Sequence, residues 1–275
     1  MGDPRLYQIG TLASLLVYGM AWVDLDITAG RVALILATVL ATQWLFDRRA
    51  RGGPFHLTAR SALISGLSLC LLLRTSSDAL AVAAGVVAIA SKFLIRVNGK
   101  HLFNPTNGAI VALLVLSNQV WVSPGQWGAA AALAFLFASA GSMVVNRAAR
   151  SDVTCAFIAC YGALIVGRSL YLGEPMAIPL HRLESGALLL FTFFMISDPK
   201  TTPDSRIGRV VFAALVAGGA WYVQFRLFRT NGLLWSLAAC STLVPLIDRV
   251  MPGPRYEWKQ RARSQSTPVP ALRAA

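Results

Sequence analysis

The sequence predicts an all-α polytopic membrane protein of about ten transmembrane helices, arranged as two inverted five-helix repeats with broken or re-entrant helices. Three observations carry this expectation. Of the 275 residues, 56% are hydrophobic and only 13% charged, against roughly 25% charged in an average soluble domain, and the mean hydropathy is +0.59. Ten apolar runs follow one another with short connections, most of them near the ~20 residues that cross a bilayer as a helix. An offset of 124 residues then lays each of the first five runs over one of the last five without gaps. Because five is odd, the second unit must enter the membrane from the opposite face.

The runs cover 6–23, 31–46, 59–73, 79–97, 107–122, 126–146, 153–171, 183–197, 207–225 and 231–247. They form one transmembrane domain, 1–251, with repeat one over about 6–122 and repeat two over about 126–247. The N-terminal MGDPRLYQIG lacks the basic region, short apolar core and small-residue cleavage site of a leader, so the first run is expected to persist. The runs at 59–73, 107–122 and 183–197 are too short to cross comfortably, and each abuts a polar or Pro/Gly break; these are the expected broken helices. The repeats match locally where Thr106-Asn107-Gly108 falls on Thr230-Asn231-Gly232 and Ser61 on Ser185. From 252 to 275 the chain turns basic and rich in Pro and Ser, the composition of a disordered cytoplasmic tail.

Positive charge sets the orientation, because Lys and Arg resist translocation. With the N-terminus inside, eighteen of these residues fall on the inner side and six on the outer, with Lys92 inside a span; both termini are therefore expected in the cytoplasm. The net charge of +13 is scattered between apolar runs instead of lining one face, which argues against nucleic acid as a partner and for the lipid bilayer. Cys70, Cys155, Cys160 and Cys240 form no CxxC pair, and His56, His101 and His181 lie in three separate connections, so neither a metal site nor an iron–sulfur cluster is expected. No histidine stands with a Ser or Cys in a nucleophile motif.

Two polar interruptions are candidate sites. In Asn98–Gly108, Asn104 followed by Pro105 reads as a helix N-cap with Pro at the first helical position. Such an N-terminus presents unpaired N–H groups to an anion or an electron-rich ring edge, and Thr106, Asn107 and Gly108 add donors and backbone access; a well-capped loop is the alternative reading. In Ser197–Arg206, the two Pro residues and four hydroxyl residues stop the helix, while Asp198 and Lys200 bring opposite charges to the membrane boundary. Asp198, Pro199, Lys200, Thr201 and Thr202 are the binding candidates there; a cytoplasmic turn is the alternative. Lys92 is the ionisable residue best placed for an ion or substrate pathway, with Ser61, Ser185 and Asn231, whereas Arg168 reads as snorkelling to the outer interface. The aromatic stripe Phe191, Phe193 and Phe194 reads as helix packing.

Taken together, the G-x-x-x-FNP break (Gly99 to Pro105), the span opening with Ser185-Gly186 and running into Phe193-Phe-Met-Ile-Ser-Asp-Pro-Lys-Thr201, the Gly208-Arg209 start and the Val244-Pro-Leu-Ile-Asp248 end resemble one family. It is that of the D-type subunit of Rnf electron-transport complexes and the B-type subunit of the sodium-translocating NADH:quinone oxidoreductase. The resemblance implies two inverted five-helix repeats, related in architecture to urea-transporter-like channels, in a bacterial inner membrane. It also implies flavin-dependent, ion-coupled electron transport with other membrane or flavoprotein subunits. Full-length members carry an SGAT-like motif whose Thr bears covalent FMN; the nearest string here is Ser185-Gly186-Ala187-Leu188, and Leu has no hydroxyl to esterify. The expectation is therefore no covalent FMN, as in the short stand-alone relatives that include the enediyne-associated membrane proteins, with a noncovalent flavin (riboflavin or FMN) at the two polar interruptions. A channel or secondary transporter for a small solute, and a non-catalytic assembly subunit, are the other functions this sequence accommodates.

Overall fold

The computed structural model describes residues 4–22, 25–50, 55–123 and 151–256, which leaves the expected sixth span, 126–146, and most of the tail outside the described residues. In chain order the elements are α1 (Pro4–Trp22), α2 (Ala29–Ala50), α3 (Phe55–Leu72), β1 (Leu73–Thr75), α4 (Asp78–Leu94), β2 (Arg96–Val97), β3 (Lys100–His101), α5 (Pro105–Leu116) and β4 (Val120–Val122). Then come α6 (Ser151–Leu172), α7 (Ala177–Leu183), α8 (Gly186–Leu190), α9 (Arg206–Phe225), α10 (Gly232–Ser241) and α11 (Val244–Val250). The chain is an α-helical, multi-pass membrane protein.

Helix length follows composition. Among the described residues, α2, α6 and α9 are long and apolar enough to cross a bilayer, and α10 with α11 makes a fourth span if joined across a 50° bend. Three apolar helices are shorter, at Thr58–Leu72, Pro105–Leu116 and Gly186–Met195; these coincide with the three runs whose brevity the sequence exposes. At 1.5 Å per residue, the 12 residues of α5 reach about 18 Å into a ~30 Å hydrocarbon core.

The local reasons for each end are visible. Ser77 accepts from the Leu80 N–H at the start of α4, and Ser205 from the Gly208 N–H at the start of α9, each satisfying a first-turn donor. Arg74, 4% exposed, turns back on the end of α3, donating to the Cys70 and Leu73 carbonyls at 2.9 and 2.7 Å; a cation there offsets the orphaned carbonyls. The last run differs from the continuous span expected over 231–247. Pro245 has no N–H and its ring displaces the carbonyl four residues back, so the Thr242 and Leu243 N–H groups turn to Ala239 and Cys240, three residues back.

The purely helical expectation also needs a correction at the ends of the short helices. Where α3 and α5 stop, β1 and β4 pair antiparallel, with Arg74 opposite Trp121, so backbone groups that no helix satisfies find partners in each other. A second hairpin, β2 with β3, turns on Asn98 and Gly99, both at positive φ (51° and 77°). That Asn-Gly pair is the favoured two-residue hairpin turn.

α2 packs against α3 and α4, and α4 against α5; in the second half α6 packs on α9 and α9 on α10, while α5 meets α10 between the halves. Lipid supplies no hydrophobic drive between helices, so close approach of small residues substitutes for it. A Cβ on Gly85 would lie 2.9 Å from Thr38 Cγ2. Gly85→Leu is expected to destabilise the fold by about 1–3 kcal/mol through overpacking, seen as a lowered unfolding midpoint in detergent, with Gly85→Ala milder.

Helix ends segregate. The N-terminal ends of α1, α3, α5, α6 and α9 meet the C-terminal ends of α2, α4, α8 and α11 through the cavity and ion pairs described next. The opposite end carries the β1–β4 pair, the Arg31–Asp78 ion pair and the Arg168–Glu174 ion pair.

Candidate functional site

Helices α3, α4 and α5 and the segment 193–200 line a cavity of about 140 Å³, together with Arg5 and Gln8 of α1. Lys92, in the last turn of α4, is 5% exposed. Its Nζ donates to the Ser61 carbonyl at 3.0 Å and the Ser61 hydroxyl at 3.1 Å. Among the described residues no carboxylate lies within 4.0 Å of it. Phe93 beside it stacks on Phe46 of α2, ring centroids 4.8 Å apart, which fixes the end of α4.

α5 begins at the cavity. Asn104 caps it, its Oδ1 accepting from the Asn107 N–H at 3.1 Å, and Pro105 takes the first helical position. Asn104 Nδ2 also donates to Asp198 Oδ2 at 3.3 Å, joining the two polar interruptions. On the other side α8 continues into a π-type turn, Phe191–Met195, where the Ile196 N–H reaches back five residues to the Phe191 carbonyl at 3.0 Å. Such wide turns often mark functional sites; this one points Phe193, Phe194 and Met195 at the cavity.

Asp198 then organises a compact turn. Its Oδ1 accepts from the Lys200 N–H at 3.0 Å, and its carbonyl accepts from the hydroxyls of Thr201 and Thr202 at 3.3 and 3.1 Å. Of the residues the sequence nominates, Ser61, Lys92, Asn104, Pro105, Thr106, Asp198, Pro199 and Lys200 line the cavity. Thr201 and Thr202 are buried behind it in the turn. Gly108 packs on Phe103, and Asn107 is fully buried with neither side-chain polar atom hydrogen-bonded among the described residues. Ser185, at the start of α8, and Asn231, left-handed at φ 60° before α10, do not line the cavity.

Among the polar lining residues, sequence reasoning misses Arg5, Gln8, Ser65, Ser68 and His101. His101 sits in the connection between α4 and α5, where burial, with the Arg96 and Lys92 cations, pushes its imidazole down to about 4; it is neutral at pH 7. It also misses a chain of ion pairs behind the site. Lys100 Nζ bridges Asp204 at 3.0 Å and Asp248 at 2.7 Å, and donates to the Thr202 carbonyl at 2.8 Å. Arg209 grips Asp152 through Nε and Nη2 and donates from Nη1 to the Asp204 carbonyl. Hairpin, cavity turn, α6, α9 and α11 are thereby pinned to one another. Among the described residues no group of three His, Cys, Asp or Glu side chains could hold a metal ion.

Comparison with known proteins places this architecture. The model of the NQR2, RnfD, RnfE family matches residues 116–256, just over half of the chain. The D-type subunit of the ion-translocating oxidoreductase complex of Tolumonas auensis is 38% identical over 95 residues, 34% of this chain and 27% of that protein. The protein of the same name from Escherichia coli K12 is 25% identical over 131 residues, 48% of this chain and 33% of that protein. The chain thus spans a third or less of the length of the curated relatives it matches. With a family match over more than half its residues, and with the polar breaks that prompt the resemblance lying at one cavity, the chain belongs to the NQR2, RnfD, RnfE family.

Proposed function

We propose that this chain is a membrane subunit of an ion-coupled electron-transport complex of a bacterial inner membrane, built as ten spans in two inverted five-helix halves with both termini cytoplasmic. The observation that carries this reading is the convergence of interrupted helices on a polar cavity with a buried lysine: α5 opens at it and the α8 segment closes at it, from opposite chain directions. Supporting the inverted halves, α2, α4 and α5 pack in the same order as α6, α9 and α10, and α3 starts at the end of the bundle where α8 finishes. Relatives named as subunits of an ion-translocating oxidoreductase complex support the electron-transport assignment and, as partners, the other subunits of such a complex.

A flavin fits poorly in this cavity. The 275 residues hold no Ser-Gly-Ala-Thr for covalent FMN. A cavity of about 140 Å³ is the size of one that accommodates benzene, well below the ~300 Å³ where pockets for multi-ring ligands begin. The Thr201 and Thr202 hydroxyls are committed to the Asp198 carbonyl. The electron carrier is therefore assigned to a partner, and this chain to the ion path. The same volume favours, as second reading, a channel for a small solute.

The test uses membrane vesicles from the native host. Donor-driven ion uptake should be lost when the gene is deleted, restored by the wild-type chain, and reduced at least tenfold by Asn104→Ala combined with Lys92→Met. The purified chain should show no flavin absorbance of its own. Ion or solute flux through the chain alone in proteoliposomes, without any electron donor, would replace this reading with the channel.

A further inference from the structure

Among the described residues the cavity lining holds more basic than acidic side chains. Arg5, Lys92, Lys200 and a helix N-terminus line it, with Asp198 the one carboxylate among the described lining residues. Both Asp198 oxygens already accept, from Asn104 Nδ2 and from the Lys200 N–H, and His101 is neutral. Lys92 spends two of its three ammonium protons on neutral oxygens of Ser61, and a buried cation needs a partner or an anion. Its third N–H has no acceptor among the described residues. The Thr106 amide, in the first turn of the 12-residue α5, is among the donors a helix N-terminus leaves without an intrahelical acceptor, and the helix dipole adds its positive end. Ser65 and Ser68 complete the lining, the Ser65 hydroxyl donating to the Ser61 carbonyl at 3.1 Å.

We propose that this cavity binds a small oxyanion between Lys92 Nζ and the N-terminus of α5, deepening the reading above by naming the charge sign of the ligand at that site. The volume of about 140 Å³ takes one such ion with a few waters at ~30 Å³ each. A cation entering here would face Lys92 at close range in a medium that screens poorly. The shared chemistry is a charged oxygen that could belong to a free anion or to a lipid phosphate.

Titration calorimetry on the full chain tests this, with inorganic phosphate and acetate as probes at constant ionic strength, in nanodiscs of zwitterionic lipid and then with added phosphatidylglycerol. Saturable phosphate binding is expected in the zwitterionic discs for a free anion; binding that phosphatidylglycerol abolishes marks the lipid headgroup as the source. Lys92→Met should weaken phosphate at least tenfold, Lys92→Arg should stay within a few-fold, and Asp198→Asn should tighten it several-fold, since it removes the one carboxylate among the described lining residues. Replacing choline by sodium should change nothing. The proposal is overturned if the wild type binds neither probe up to about 50 mM, a range that covers weak millimolar sites. It is equally overturned if folded Lys92→Met binds as tightly as wild type, or if Asp198→Asn weakens binding. Lost ion uptake in Lys92→Met vesicles without any anion binding would sink this inference and leave the proposed function standing. Intact anion binding in a chain that supports no electron-driven uptake would do the reverse.

Discussion

Lys100→Met is expected to destabilise the protein by about 3–5 kcal/mol, the range for breaking a buried ion pair by removing one partner. Lys100 and its two carboxylates are only 11–17% exposed. The cost arises less from lost attraction than from what remains: Asp204 and Asp248 would be left facing each other without their shared cation. Asp248 also accepts from the Asp204 N–H at 2.8 Å, so the two cannot simply separate. Equilibrium unfolding in mixed micelles should show the loss, and adding Asp248→Asn should recover part of it by removing the repulsion. A Lys100→Met protein as stable as wild type would mean that solvent reaches the pair freely. Because Lys100 closes the hairpin leading to Asn104, the variant should also weaken ion uptake before it unfolds.

Asp152→Asn should cost a similar amount, about 3–5 kcal/mol. Arg209 is 6% exposed and its Nε lies 3.0 and 2.9 Å from the two Asp152 oxygens. Arg209→Lys should be nearly as damaging, since an ammonium cannot reproduce the planar fork. A double-mutant cycle between the two positions should return a coupling toward the upper end of about 0.5–3 kcal/mol. Coupling near zero would show that Arg206, whose Nε is 3.6 Å from the same carboxylate, takes over the contact.

Much of the fold is legible in the sequence because local chemistry decides it. Asn104-Pro105 starts a helix since one side chain supplies the cap and the next residue needs no N–H, and the Asn104–Asn107 bond is there. The three short apolar helices are visible as three short runs. The Asn98-Gly99 hairpin and the bend before Pro245 carry equally local signals, which hydropathy alone overlooks because it registers neither backbone chirality nor a missing donor. What no local signal reveals is the partnership of Lys100 with Asp204 and Asp248, 104 and 148 residues away. In the sequence Lys100 and Asp204 read as loop charges and Asp248 only as the close of the last run. Lys92 and Ser61 are individually conspicuous, one as a charge inside a span and the other through the repeat offset, but their hydrogen bond depends on how α3 packs on α4.

The five-residue reach at Phe191–Met195 stores one residue of slack in an otherwise tightly wound rod. Were that loop of backbone drawn in, everything beyond it would swing by about 100° and slide by about 1.5 Å, carrying Asp198 away from Asn104 without melting a single turn. Within the wide turn such a shift exchanges hydrogen bonds, but it also breaks the Asn104–Asp198 bond and pulls on the Lys100 contacts that pin the cavity turn. Deleting Thr192 would lock the tight winding and uncouple the two halves of the pocket, a mechanical state that a point substitution cannot mimic.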